Sequence, residues 1–127
     1  MKIITAVLLL LSAFGVQAEW VFFTKNVSGS TYYVDFSTIK KTAVGYRVWE
    51  LVNYAKRKNG IYSLENLIEY DCSEERSRFL KTSYFSEPMG EGTIVLIDSS
   101  PAPWSYVSPQ SASETLLKAV CSRVNSR

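Results

Sequence analysis

Tyr62-Ser63-Leu64-Glu65-Asn66-Leu67-Ile68-Glu69-Tyr70-Asp71-Cys72 is the stretch whose reading decides the fold. Successive side chains of a strand point to opposite faces, so Tyr62, Leu64, Ile68, Tyr70 and Cys72 share one apolar face, with Asn66 the one exception. Cys72 therefore points inward. Near the C-terminus Leu117, Val120, Cys121 and Val124 fall on a single stripe at helical spacing, opposite Lys118, Ser122 and Arg123. Cys121 points inward as well. The simplest structure that satisfies both is a sheet with a C-terminal helix tied across its inner face by a Cys72–Cys121 disulfide.

The compartment needed for that bond is legible at the other end of the chain. Met1-Lys2 gives a positive start, Ile3 to Leu11 an apolar run and Val16-Gln17-Ala18 a small-residue cleavage pattern, so residues 1–18 read as a secretory signal and residues 19–127 as one domain. The apolar run is shorter than the ~20 residues that cross a bilayer. Cleavage would expose Glu19, not a cysteine, so no lipid is expected on the new N-terminus. An exported chain meets oxidising conditions, and two cysteines allow one intramolecular pairing, the alternative being two buried thiols.

Around the decisive stretch the remaining elements follow in order. Trp20 to Thr24 and Thr31 to Phe36 form a first hairpin across Ser28-Gly29-Ser30. Ser37 to Lys41 reads as a helical turn or an irregular crossover. Gly45 to Ala55 returns to strand composition, and Asn59-Gly60 marks a two-residue turn into Ile61 to Cys72. Arg76 to Phe85 is a further strand. Thr93 to Ile97 is apolar on both parities and is therefore expected centrally, with both faces covered. Pro101 and Pro103 forbid a central strand after it, leaving Trp104 to Val107 a loop or a short edge strand. Ser111-Ala112-Ser113-Glu114 has capping-box spacing and should start the helix, which runs to about Arg123. Consecutive hairpins closed by one helix specify an antiparallel α+β domain.

Chemistry is harder to find. The chain has no histidine, which removes the commonest general base, metal ligand and haem ligand together. No cofactor or metal is expected, and no enzyme activity. Glu69 and Asp71, two apart on one strand, are the best carboxylate pair. Their parity is the solvent-facing one, so pairing with Arg76 and Arg78 on the next strand is preferred over catalysis. The mature chain is nearly neutral, with 14 basic residues less Lys2 against 12 acidic ones, so no nucleic-acid partner is indicated. Lys56-Arg57-Lys58, at a hairpin tip, is the candidate contact for an anionic partner, or else a solvated turn that discourages edge pairing. With eight Tyr, six Phe and three Trp, there are more rings than one helix can cover. Some, among Tyr32, Tyr33, Tyr46, Tyr54, Trp20 and Trp49, should line a binding or self-association surface.

Tyr33-Val34-Asp35 with Thr38-Ile39, the strand bearing Trp49 and Tyr54, Glu69-Tyr70-Asp71-Cys72 followed by Arg76 and Arg78, Met89-Gly90, Trp104, Pro109, and a last helix with Leu117 and Cys121 together resemble the surface-adhesin protein E family of Gram-negative bacteria. The resemblance spans roughly Trp20 to Arg123. It implies a single antiparallel sheet of about six strands with the helix held on one face by the disulfide. It also implies adhesion to host extracellular-matrix proteins at the bacterial surface. The expected partner is thus a host matrix protein or another envelope protein, and the exported domain is expected in the periplasm or on the outer surface. A homodimer is compatible with that reading. A different class of function, a periplasmic small-ligand carrier with an apolar pocket between helix and sheet, is the alternative.

Overall fold

The computed structural model describes residues 17–125. The predicted signal peptide therefore lies, up to residue 16, outside the described residues. Aromatic and β-branched runs build β1 (Val21–Lys25) and β2 (Thr31–Lys41), which pair antiparallel around the Asn26 to Ser30 turn. The expected break at Ser37 to Lys41 is not a turn. The strand continues, with a register shift between Asp35 and Lys40. Thr38 explains how: its hydroxyl donates to the Asp35 carbonyl at 2.6 Å and accepts the Trp49 N–H at 3.0 Å, standing in for a ladder bond that the extra residues interrupt. The irregularity read in the sequence is a bulge.

β3 (Tyr46–Lys58) and β4 (Ile61–Asp71) are joined at Asn59 and Gly60, whose φ values of 51° and 77° are the left-handed pair that a tight hairpin turn requires. β5 (Arg76–Phe85) follows, and after a single 3-10 turn at Pro88–Gly90 the chain returns as β6 (Ile94–Asp98). The sheet runs in sequence order from β1 to β6, antiparallel throughout. A two-residue β7 (Ser105–Tyr106) shares the outer edge of β5 with β6, pairing at its Arg76 end. Placing Thr93 to Ile97 centrally is thus overturned. The run forms the edge strand, and Ile94, Val95, Leu96 and Ile97 are each about half exposed, between 48 and 57%. The prolines that follow carry the chain away and no element covers either face, so apolar character on both parities here records an uncovered edge rather than a buried centre.

α1 (Ala112–Asn125) lies on the face that Cys72 shares with Tyr70 and Ile68. Leu116, Leu117 and Val120 pack there against Val34, Val48, Ile68 and Tyr70. Burial of each helix residue stabilises by roughly 1.5 to 3 kcal/mol, more than a 14-residue helix can supply from its own backbone. Cys72 and Cys121 are joined, with Cα atoms 6.0 Å apart. At the helix start the Ser111 hydroxyl accepts the Glu114 N–H at 3.2 Å, as the spacing predicts. The returning bond differs: the Glu114 carboxylate accepts the Gln110 N–H at 3.3 Å, because the Ser111 N–H is already taken by the Ser108 carbonyl. Ser111→Ala should cost about 1 kcal/mol in urea denaturation, with an unchanged slope.

The opposite face has a smaller cover. The Pro88–Gly90 turn lies over Leu51, held where Asn53 Oδ1 accepts the Met89 N–H at 2.8 Å and Ser63 Oγ accepts the Gly90 N–H at 2.9 Å.

Candidate functional site

Both faces of the sheet carry buried charge. On the face away from the helix, Arg47 is registered opposite Glu69, and Glu69 and Asp71 face Arg78 and Arg76 across the β4–β5 ladder. The pairs form, at 2.8 Å for Glu69–Arg78 and 3.1 Å for Asp71–Arg76. The solvent exposure expected for these carboxylates is wrong, however: Glu69 is 5% exposed and Asp71 3%. The reason is Trp104. Its ring lies 4.6 Å from both guanidinium carbons, so β7 brings an indole across the two arginines and seals the carboxylates beneath a cation–π layer. Desolvation alone would raise the Asp71 carboxyl, but hydrogen bonds from Ser73, the Glu74 N–H and Arg76, with the charge of Arg76, hold it below the usual range. A carboxylate held as Asp71 is serves as a structural acid, poorly suited to giving and taking protons.

On the helix side, β3 alternates Tyr46, Val48, Glu50, Val52 and Tyr54 on the inward parity. Glu50 is the lone charge in that row and is 5% exposed. Its register partner on β4 is Asn66, the one polar residue of the decisive stretch's apolar face. Asn66 Nδ2 donates to Glu50 Oε1 at 3.1 Å, and Thr82 Oγ1 donates to Asn66 Oδ1 at 2.9 Å, which fixes the amide's orientation. The exception in one strand thus answers the exception in the next. Sequence reasoning passed over Glu50, although the signal was there: a single carboxylate at an inward position between Val48 and Val52.

Glu50 and Asn66 lie in a groove of about 480 Å³ between the sheet, the β7 segment and the first turn of α1. Val52, Leu64 and Ile68 give it an apolar floor, and Tyr32, Tyr54, Phe79 and Tyr106 line it with rings. The groove sits where the sequence suggested an apolar pocket, but a carboxyl is set into it. Burial pushes the Glu50 carboxyl up to about 7, although the bond from Asn66 works the other way. The Tyr70 hydroxyl, buried without a hydrogen-bond partner, is raised well above its ordinary value by burial and then by the Glu50 charge.

The sign of the consequence is definite. The unfolded carboxyl ionises near 4.5, so the stability present below that pH is lost as pH rises through about 7. Glu50→Gln keeps the acceptor for Asn66 and removes the buried charge. The variant should match the parent near pH 4 and exceed it at pH 8 by on the order of 3 kcal/mol, read from urea midpoints across pH. A difference that does not change with pH would show that Glu50 titrates normally.

Lys56, Arg57 and Lys58 are exposed at the end of β3. Their side chains have different neighbours. Arg57 pairs with Glu87 at 3.1 Å and sits 5.7 Å over the Tyr62 ring, while Lys56 and Lys58 border a shallow depression with Tyr32 and Tyr54. Among the described residues no group of three or more His, Cys, Asp and Glu is placed to hold a metal ion, and no helix is long and apolar enough to cross a membrane.

Comparison with known proteins gives this architecture a family. The model for surface-adhesin protein E matches residues 20–122. The chain belongs to the surface-adhesin protein E family. Crystal form II of Haemophilus influenzae protein E aligns with a TM-score of 0.65 at 16% identity, covering 87% of this chain and 93% of that one. Protein E from non-typeable Haemophilus influenzae aligns with a TM-score of 0.59 at 16% identity, covering 89% and 82%. At this identity the alignments establish a shared protein E fold. A search of curated proteins gives no match.

Proposed function

We propose that this member of the protein E family is a non-enzymatic adhesin of the bacterial envelope, exported by residues 1–18 and binding a macromolecular partner such as a host extracellular-matrix protein. The observation that carries the reading is the family match across nearly all of the described chain. Two surfaces support it. β6 offers an unpaired strand edge with half-exposed aliphatic side chains on both faces, the kind of edge to which a partner's extended segment can add as a further strand. Lys56 and Lys58 supply positive charge at the tip of β3 for an anionic patch. The sealed ion pairs of Glu69 and Asp71 add to the case against catalysis. The test is saturable binding of the purified domain to immobilised vitronectin and laminin, with protease treatment of whole cells to read outer-surface display. Binding that survives substitution of Leu96 and Ile97 by serine together with Lys56 and Lys58 by glutamate would place the contact elsewhere; no binding to any matrix protein would remove adhesion. Gel filtration separates a self-paired dimer through β6 from a monomer. The groove at Glu50 favours a second reading, that the domain also carries a small ligand.

A further inference from the structure

The groove's polar chemistry is incomplete in a specific way. A carboxylate presents two oxygens, and only Glu50 Oε1 is occupied, by Asn66. The carbonyl of Asn66 is itself used by Thr82, so that amide is committed. Glu50 Oε2 has no hydrogen-bond partner among the described residues, yet it is not one of their sealed, unpartnered polar atoms, a condition met among the described residues only by the Tyr70 hydroxyl. An oxygen of a side chain that is more than nine-tenths buried is therefore left open toward the groove that this side chain lines.

Among the described residues no cation pairs with it. Arg78 borders the groove, but its Nε and Nη2 face Glu69 and its guanidinium lies on Trp104, on the other side of the sheet. The first turn of α1 brings a positive end to the rim, already answered by the Ser111 hydroxyl and the Glu114 carboxylate. Of the other groups that line the groove, Tyr32, Tyr54 and Tyr106 are phenols and supply no positive charge, and burial raises Tyr32 and Tyr54, as it does the neighbouring Tyr70. What surrounds the open oxygen is otherwise aromatic and aliphatic. Ring faces attract cations, and a volume of about 480 Å³ lies within the range of small-molecule sites.

We propose that this groove binds a small organic ammonium ion, its charge on the free oxygen of Glu50 and its apolar part among Tyr32, Tyr54 and Phe79. The inference deepens the carrier reading and does not depend on adhesion. An anion is disfavoured by the carboxylate, and a purely apolar ligand would leave that oxygen desolvated without a partner. Because the bound cation favours ionised Glu50, the site should fill at slightly alkaline pH and empty on acidification.

Titration calorimetry of the intact disulfide-bonded domain with phenethylammonium chloride and, separately, with neutral 2-phenylethanol decides the matter. The expected result is saturable one-to-one binding of the ammonium at pH 8, at least tenfold weaker at pH 5, at least tenfold weaker for Glu50→Gln, and at least tenfold weaker for the alcohol. Glu50→Gln should fold at least as well as the parent, and its melting curve confirms that lost binding is local. Equal binding of ammonium and alcohol, or equal binding by parent and Glu50→Gln, would overturn the cation site while leaving a small-ligand carrier. Absence of binding by both compounds would overturn the cation site and the carrier reading together.

Discussion

Replacing both Cys72 and Cys121 by serine should lower the stability of the domain by about 4 kcal/mol, the largest effect expected of any conservative change in this chain. The bond spans 49 residues of sequence, so its loss restores to the unfolded chain a long loop's worth of freedom. The same change leaves α1 held by the packing of Leu116, Leu117 and Val120 and by contacts such as Arg123 over the Phe36 ring, on a helix too short to persist undocked. For a domain of this size the melting temperature should fall by roughly 15 to 30 °C, read by circular dichroism. A reducing agent added to the parent should reproduce the fall. Identical melting of parent and double variant would mean that packing alone holds the helix.

Gly45→Ala should be nearly as damaging, at about 3 kcal/mol, for an unrelated reason. A Cβ at residue 45 would lie 1.9 Å from the Tyr70 carbonyl oxygen and 3.2 Å from the Asp71 Cα. Both obstacles are backbone, so no rotamer change relieves them. The strands would have to part at the end of the β3–β4 ladder where Tyr46 faces Tyr70 and Arg47 faces Glu69. That movement would disturb the buried Tyr70 and the strand that carries Cys72. The urea midpoint should drop with an unchanged slope, while the neighbouring exposed Val44→Ala should change stability by no more than about 0.5 kcal/mol. Equal effects at 44 and 45 would show that the loop, not the close approach, matters.

The contrast between what was and was not legible follows from the range of the forces involved. Alternation in Tyr62 to Cys72 and the stripe through Cys121 are local records of burial, and they led directly to the sheet, the helix and the bond between them. Asn59-Gly60 and Ser111 likewise announce backbone geometry through their own chemistry. Glu69 and Asp71 were placed in the wrong environment because their cover, Trp104, arrives from more than thirty residues away and nothing local foretells it. β6 misled for the converse reason: its apolar residues imply neighbours that never come. Glu50 fell between these cases, since its alternation with Val48 and Val52 was visible but its meaning depended on Asn66 and Thr82 from two other strands.

The sequential order of the six strands has a consequence for how the molecule is made. Each strand can join the margin of those already formed as the polypeptide lengthens, without threading or rearrangement, whereas the two sulfurs cannot meet until the final turns of α1 have been synthesised. Covalent closure is thereby a receipt of completion: a prematurely terminated product lacking Cys121 could assemble most of the platform yet would remain unlocked, open to proteolysis at its unshielded apolar face.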